Sequence, residues 1–248
     1  MANQFNLGNI PVDIQFKDIK NLHLSVCPPK GHVRISAPNR MKIERVRIYA
    51  VSKLDWIKKQ QMKFINQERE TQKEYIDRES HYVWGRRYLL KLEKSAAPEI
   101  ILKHSQLVMR AHEAATTQRR KEYLEEWYRK ILKAEAEYLI GKWENRLGLK
   151  VKQVFIQKMK TKWGSCNPRS KNIRLNTELA KKPKEFLDYI ILHELSHLIE
   201  AKHNDQFIKI MDKHMLKWRF FKNELNALPV SFMDQKSCSN IKYHNKKP

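Results

Sequence analysis

Cysteine, glycine and acidic charge are scarce in this 248-residue chain, and each scarcity closes off a class of protein. The three cysteines, Cys27, Cys166 and Cys238, are widely spaced, odd in number and form no C-x-x-C pair. That argues against a disulfide framework and fits a reducing compartment. The six glycines form no Gly-rich phosphate loop, and no Asp/Glu cluster suited to Mg²⁺ is visible. No apolar run approaches the roughly 18–20 residues that a bilayer crossing needs. The opening Met1-Ala2-Asn3-Gln4-Phe5-Asn6 lacks a positive stretch followed by an apolar one, so no signal peptide is expected. A cytoplasmic protein without membrane association is the expectation.

Against 27 Asp and Glu stand 50 Lys and Arg, a formal net charge of +23. Such an excess attracts polyanions, whether nucleic acid, nucleotide phosphates or acidic surfaces. The basic residues are dispersed rather than gathered in one block. Pairs such as Lys58-Lys59, Arg86-Arg87, Arg119-Arg120 and Lys181-Lys182 read first as solvated faces, any of which could border a polyanion groove. A hydrophobic content of 41% is ordinary for a folded protein, and the length suffices for one large domain or two small ones.

Hydrophobic periodicity predicts an α+β fold. Residues 10–37 alternate like short strands around a Pro28-Pro29-Lys30-Gly31 turn, and Pro38-Asn39 then opens a long helix over about 41–78. Its apolar positions are Ile43, Val46, Val51, Leu54, Ile57 and Phe64. Strand patterns return over 81–110. A helix follows over 117–147, its stripe including Leu124, Trp127, Leu132 and Trp143, with Gly148 as the stop signal. Val151, Val154 and Ile156 suggest a strand, Gly164-Ser165-Cys166-Asn167-Pro168 a loop, and Ile173-Arg174-Leu175 a further strand. Pro183 opens a helix to about 200, and Asn204 caps a final one ending near Leu225. No internal repeat is visible. The expected division is a strand-rich region at 10–114 with a long helix, a helical domain with a small sheet at 115–230, and a loose basic tail at 231–248.

Chemistry concentrates in Leu192-His193-Glu194-Leu195-Ser196-His197-Leu198. On a helix, His193 and His197 share one face about 6 Å apart, suited to a common tetrahedral metal. Glu194 sits beside that metal without needing to ligate it, placed to take a proton from a metal-bound water and return it to a leaving group. With 10 His and 19 Glu in the chain, H-E-x-x-H arises by chance with a probability of roughly 3%. Its position in a mostly apolar helix strengthens it, because unpaired His and Glu are costly there. His203, six residues after His197, is the candidate third ligand, which leaves a fourth position open for water and so marks a catalytic site. Glu200 and the more distant His214 are the alternatives. Glu200 also stands where H-E-x-x-H-x-x-G-x-x-H sites carry a turn glycine.

A second cluster is Thr161-Lys162-Trp163-Gly164-Ser165-Cys166. Trp163 offers an apolar wall and Gly164 a close backbone approach. Cys166 reads as a buried small thiol rather than a nucleophile, since no His is near it in sequence. Asn172-Ile173-Arg174-Leu175-Asn176 reads as a sheet edge, able to hold an extended peptide by strand addition or simply closed by its own loop. Lys162, Trp163, Arg174 and Asn176 are the candidate substrate-binding residues. Trp127, Trp143 and Trp218 fall on helical stripes and read as core.

Thr161–Cys166, Ile173-Arg174-Leu175-Asn176-Thr177-Glu178-Leu179, and His193–His197 with His203 and Phe207 together resemble the YgjP-like metallopeptidase family. The Pro28–Gly31 turn, Ala37-Pro38 and Trp56-Ile57-Lys58-Lys59 extend the resemblance over about 10–225. The resemblance implies a zincin-like core related to SprT-like proteases, some of which act on DNA-bound proteins. It also implies Zn²⁺ on His193, His197 and His203, with Glu194 as general base. Lys162, Arg174 and Tyr189 are the candidates for oxyanion stabilisation. Members of the family have also been described as UTP pyrophosphatases. Three functions therefore stand as expectations: a zinc peptidase, a metal-dependent nucleotide hydrolase, and a nucleic-acid-binding protein with a structural metal.

Overall fold

A computed structural model describes residues 3–27, 31–65, 73–159 and 162–227. The Pro28-Pro29-Lys30 turn, stretch 66–72 of the expected long helix, Thr161 and the basic tail lie outside the described residues. The chain forms two compact units, one comprising the described residues up to 65 and one comprising those from 73 onward.

The first unit begins with β1 (Asn3–Leu7), β2 (Ile10–Lys17), β3 (His23–Cys27) and β4 (His32–Pro38), in the sheet order β1-β2-β4-β3. β2 and β4 run parallel, and the other neighbours antiparallel. Alternation buries Val12, Ile14, Leu24, Val26, Val33, Ile35 and Ala37 in one cluster. Val46 and Ala50 of α1 (Ile43–Ser52) and Ile57 of α2 (Leu54–Ile65) complete it. The expected single helix is thus two: Lys53 leaves helical geometry (φ −111°, ψ 11°), and its N–H is capped by the carbonyls of Ala50 and Val51. Val46 and Ala50, four apart, set the inward stripe of α1; Val51 lies about 100° further round and is exposed. Cys166 is a free thiol.

The second unit opens with β5 (Ser80–Val83), β6 (Arg86–Lys94), β7 (Glu99–Lys103) and β8 (Gln106–Ala111), in the order β5-β6-β8-β7 with β6 and β8 parallel. This repeats the strand order and orientations of the first sheet, so the chain contains a topological repeat that its residues do not announce. Val83, Leu90, Leu107 and Met109 share one core with the helices that follow. The strand-rich segment 80–111 therefore belongs with the helical part, and the division falls between residues 65 and 73 rather than near 115.

α3 (Thr117–Leu147) is N-capped by Thr116, whose hydroxyl accepts the Arg119 N–H, and ends at Gly148 in the left-handed region (φ 66°). A third sheet follows, ordered β10-β11-β9, from β9 (Gln153–Gln157), β10 (Gly164–Asn167) and β11 (Asn172–Asn176). Residues 164–167, expected as a loop, are its antiparallel edge strand. The expected edge at 172–176 is its middle strand, flanked on both sides. A 3-10 turn (Thr177–Lys181) leads into α4 (Lys184–Ile199), followed by α5 (Asp205–His214) and α6 (Trp218–Ala227). The expected final helix is thus divided at Met215, which leaves helical geometry (φ −151°). α4 is apolar on nearly all sides, burying Phe186, Leu187, Tyr189, Ile190, Ile191, Leu192 and Leu195, because α3, β10, α5 and α6 surround it. No helix of the described residues is long and apolar enough to cross a membrane.

The lead-in to α4 is pinned by the β5–β6 turn. Trp84 N donates to Ala180 O at 2.9 Å and Gly85 N to Lys181 O at 3.2 Å. Gly85 has φ 78°, and a Cβ there would lie 2.7 Å from Pro183 Cγ. Gly85→Ala therefore adds backbone strain and a clash against the start of α4. It is expected to cost about 1–3 kcal/mol in urea or thermal unfolding, and wild-type stability would contradict this reading of the turn.

Candidate metal centre

His193 and His197 project from one face of α4 with ring centroids 4.9 Å apart. The helix stops at Glu200, whose extended backbone (φ −134°, ψ 110°) turns the chain back. His203, in the connection to α5, then returns to within 5.0 Å of the His193 ring and 4.6 Å of the His197 ring. One nitrogen from each of the three imidazoles lies within 4.8 Å of the others, and Nε2 of His193 and His203 are 3.2 Å apart. The expected third histidine is thus brought to the first two.

The surroundings suit nitrogen donors aimed inward. His197 Nδ1 lies 3.1 Å from the Glu200 carbonyl, so it can donate there and leave Nε2 with its lone pair toward the other rings. Burial, then the neighbouring imidazoles of His197 and His203 and the charge of Lys222, push the His193 pKa down to about 3, keeping that ring a neutral donor. Among the described residues its Nδ1, buried, has no hydrogen-bond partner. Phe207, fully buried, packs against all three imidazoles at 4.8–5.1 Å and forms the floor. Lone pairs crowded together over an apolar floor fit a bound divalent cation, and three imidazoles form a donor set that zinc accepts.

The alternative ligands are engaged elsewhere. The Glu200 carboxylate accepts the Lys202 N–H at 3.0 Å and bonds to Asn204, which holds its pKa below the usual range. Asn204 in turn caps α5 by accepting the Phe207 N–H at 3.1 Å. His214 packs edge-on to Trp143, 6.1 Å between centroids.

Glu194 is buried beneath β10. Burial raises its pKa to about 7, against the opposing pull of the Lys162 charge and a hydrogen bond from the Cys166 backbone. Tyr189, one turn earlier, stands 5.9 Å from the His193 ring, and its pKa is pushed up to about 12 by burial and then by Glu194. Of the candidate substrate residues, exposed Lys162 brings its charge to Glu194, whereas Trp163 is buried in the core. Arg174 alternates with the buried Ile173 and Leu175, so it lies on the other face of the sheet, over the Phe155 ring at 5.5 Å. The Asn176 amide is fully used: it accepts from Met159 N and Glu178 N and donates to the Met159 and Lys162 carbonyls. It pins the segment before β10. Sequence reasoning quoted Phe207 only as part of the family resemblance, and gave no role to Lys222 or the Cys166 backbone.

Three histidines thus converge next to one buried carboxylate. The model of the YgjP-like metallopeptidase domain matches residues 20–228, and the chain belongs to that family. Among solved structures, the chain is similar to the metallopeptidase zymogen abylysin of Pyrococcus abyssi, with 21% identity and TM-score 0.34 over 36% of this chain and 90% of that one. It is also similar to the zymogen jannalysin of Methanocaldococcus jannaschii, with 23% identity and TM-score 0.34 over 36% and 92%. No curated protein matches.

Burial, and then the adjacent Glu194, push the Cys166 thiol up to about 11. At pH 8 the thiolate is therefore about 100-fold scarcer than for a thiol at its ordinary pKa of 9.0. Peptide mapping after iodoacetamide treatment at pH 8 is expected to show Cys166 unmodified in the folded protein and modified in urea. Rapid labelling of the folded protein would contradict the burial argument.

Proposed function

We propose that the chain is a zinc-dependent peptidase in which His193, His197 and His203 hold the ion and Glu194 is the general base. The observation that carries this is the convergence of three imidazoles beside one buried carboxylate. Zinc at such a site supplies Lewis acidity, lowering the pKa of water from 15.7 toward about 7 and polarising a carbonyl.

The chain's own residues supply the rest. Glu194, largely withdrawn from solvent, is a stronger base than a surface glutamate. It takes the proton of the attacking water and returns it to the departing amine nitrogen. The Glu200 carbonyl fixes the orientation of His197, while Phe207 and Tyr189 exclude bulk water around His193. β10 lies at the edge of its sheet and against α4, so an extended peptide added there would pass the carboxylate. On this reading an extended substrate would lie along 164–167 instead of 172–176.

Purified protein is expected to bind about one zinc per chain and to degrade an unstructured protein substrate. Glu194→Gln is expected to keep the zinc and lower kcat by about 10²–10⁴-fold, measured by release of labelled peptide. Retained proteolysis in that variant would refute the assignment of Glu194. Turnover of UTP, lost in the same variant while proteolysis is absent, would establish a nucleotide hydrolase instead.

A further inference from the structure

β10 crosses α4 at the one residue in the strand that has no side chain. A Cβ built on Gly164 would lie 2.7 Å from Glu194 Oε1, 2.9 Å from Glu194 Cγ and 2.9 Å from Ile190 Cγ2. Gly164 is not among the residues with positive φ, so its backbone conformation is open to any residue and only the contact calls for glycine. Two residues on, the Cys166 backbone N–H donates to the same carboxylate. Gly164 and Cys166 pair with Leu175 and Ile173, both fully buried, so both turn toward the core where α4 lies. Ser165 pairs with Arg174 on the other face. The strand thus meets Glu194 at two points, a gap that admits the carboxylate and a donor that holds it.

We infer that Gly164 is a positioning residue for Glu194: its missing side chain lets the carboxylate seat against β10, where the Cys166 N–H fixes it. A glutamate side chain has several rotatable bonds, and its carboxylate is the part that yields when a Cβ is introduced. A methyl group at 164 therefore crowds both Glu194 and Ile190 of α4, and the Glu194 carboxylate, the far end of a flexible side chain, moves furthest. This inference rests on the peptidase reading for its catalytic consequence, but the placement of the carboxylate is tested separately.

The test is Gly164→Ala, with Gly141→Ala as control, because a Cβ at Gly141 of α3 meets nothing within 4 Å. In zinc-loaded protein, Gly164→Ala is expected to lower kcat by about 100-fold with KM nearly unchanged, the cost of misplacing a catalytic group by about 1 Å. In metal-free and zinc-loaded protein alike, NMR hydrogen exchange at the Cys166 amide is expected to quicken by about tenfold or more, while the Ile173 and Leu175 amides keep their rates. Gly141→Ala is expected to match wild type in every readout. A Gly164→Ala protein with wild-type kcat and a protected Cys166 amide overturns the inference. If that variant does not fold, Glu194→Ala decides: faster exchange at Cys166 supports the seat, and unchanged exchange overturns it. Full activity in Glu194→Gln would sink the general-base reading, yet the Cys166 amide would still report whether Gly164 seats the carboxylate.

Discussion

Withdrawal of His193 and Glu194 from water is the constraint on which the site depends. Both sit in a helix whose remaining faces carry Ile190, Ile191, Leu192 and Leu195, all buried. Polar groups there cost several kcal/mol unless they are paired. Glu194 is relieved by the Cys166 N–H. Among the described residues His193 Nδ1 has no partner, and its Nε2 faces a second imidazole nitrogen at 3.2 Å. An arrangement of this kind is unfavourable as bare protein and favourable around a cation.

The rest of the second unit holds α4 still. Trp143 Nε1 donates to Asp188 Oδ1 at 2.6 Å, with Lys142 on the other oxygen at 3.2 Å, so α3 clamps the helix about one turn before His193. The β5–β6 turn fixes its start through Ala180 and Lys181. At its end, Ser196 Oγ donates to Leu192 O within the helix and lies 3.5 Å from Met211 Sδ of α5. The Glu200–Asn204 turn then sets the reach of His203, because Asn204 is both a partner of Glu200 and the cap of α5. Side chains held by buried apolar contacts and short hydrogen bonds need little reorganisation during a reaction.

The helix spacing of His193, Glu194 and His197 was legible because i and i+4 positions meet on any α-helix. So was His203, because a gap of six residues allows a helix end and one return. Elements with strong local signals, α3 with its Thr116 cap and Gly148 stop among them, also emerge where the periodicity puts them. What could not be read depends on contacts between distant segments. The repeated sheet order in 3–38 and 80–111 arises from hydrogen-bond pairing that alternation does not specify. Residues 164–167 look like a loop because Gly, Ser and Asn weaken strand propensity; pairing with β11 overrides that. Arg174 was legible as part of a strand but not as part of its far face, which is fixed only by where α4 packs.

The central claim is that three imidazoles and no other protein side chain bind the metal. X-ray absorption spectroscopy of the zinc-loaded protein measures this directly. The account predicts three nitrogen scatterers with imidazole signatures at about 2.0–2.1 Å and no sulfur. A sulfur scatterer near 2.3 Å, or only two imidazoles, would contradict it.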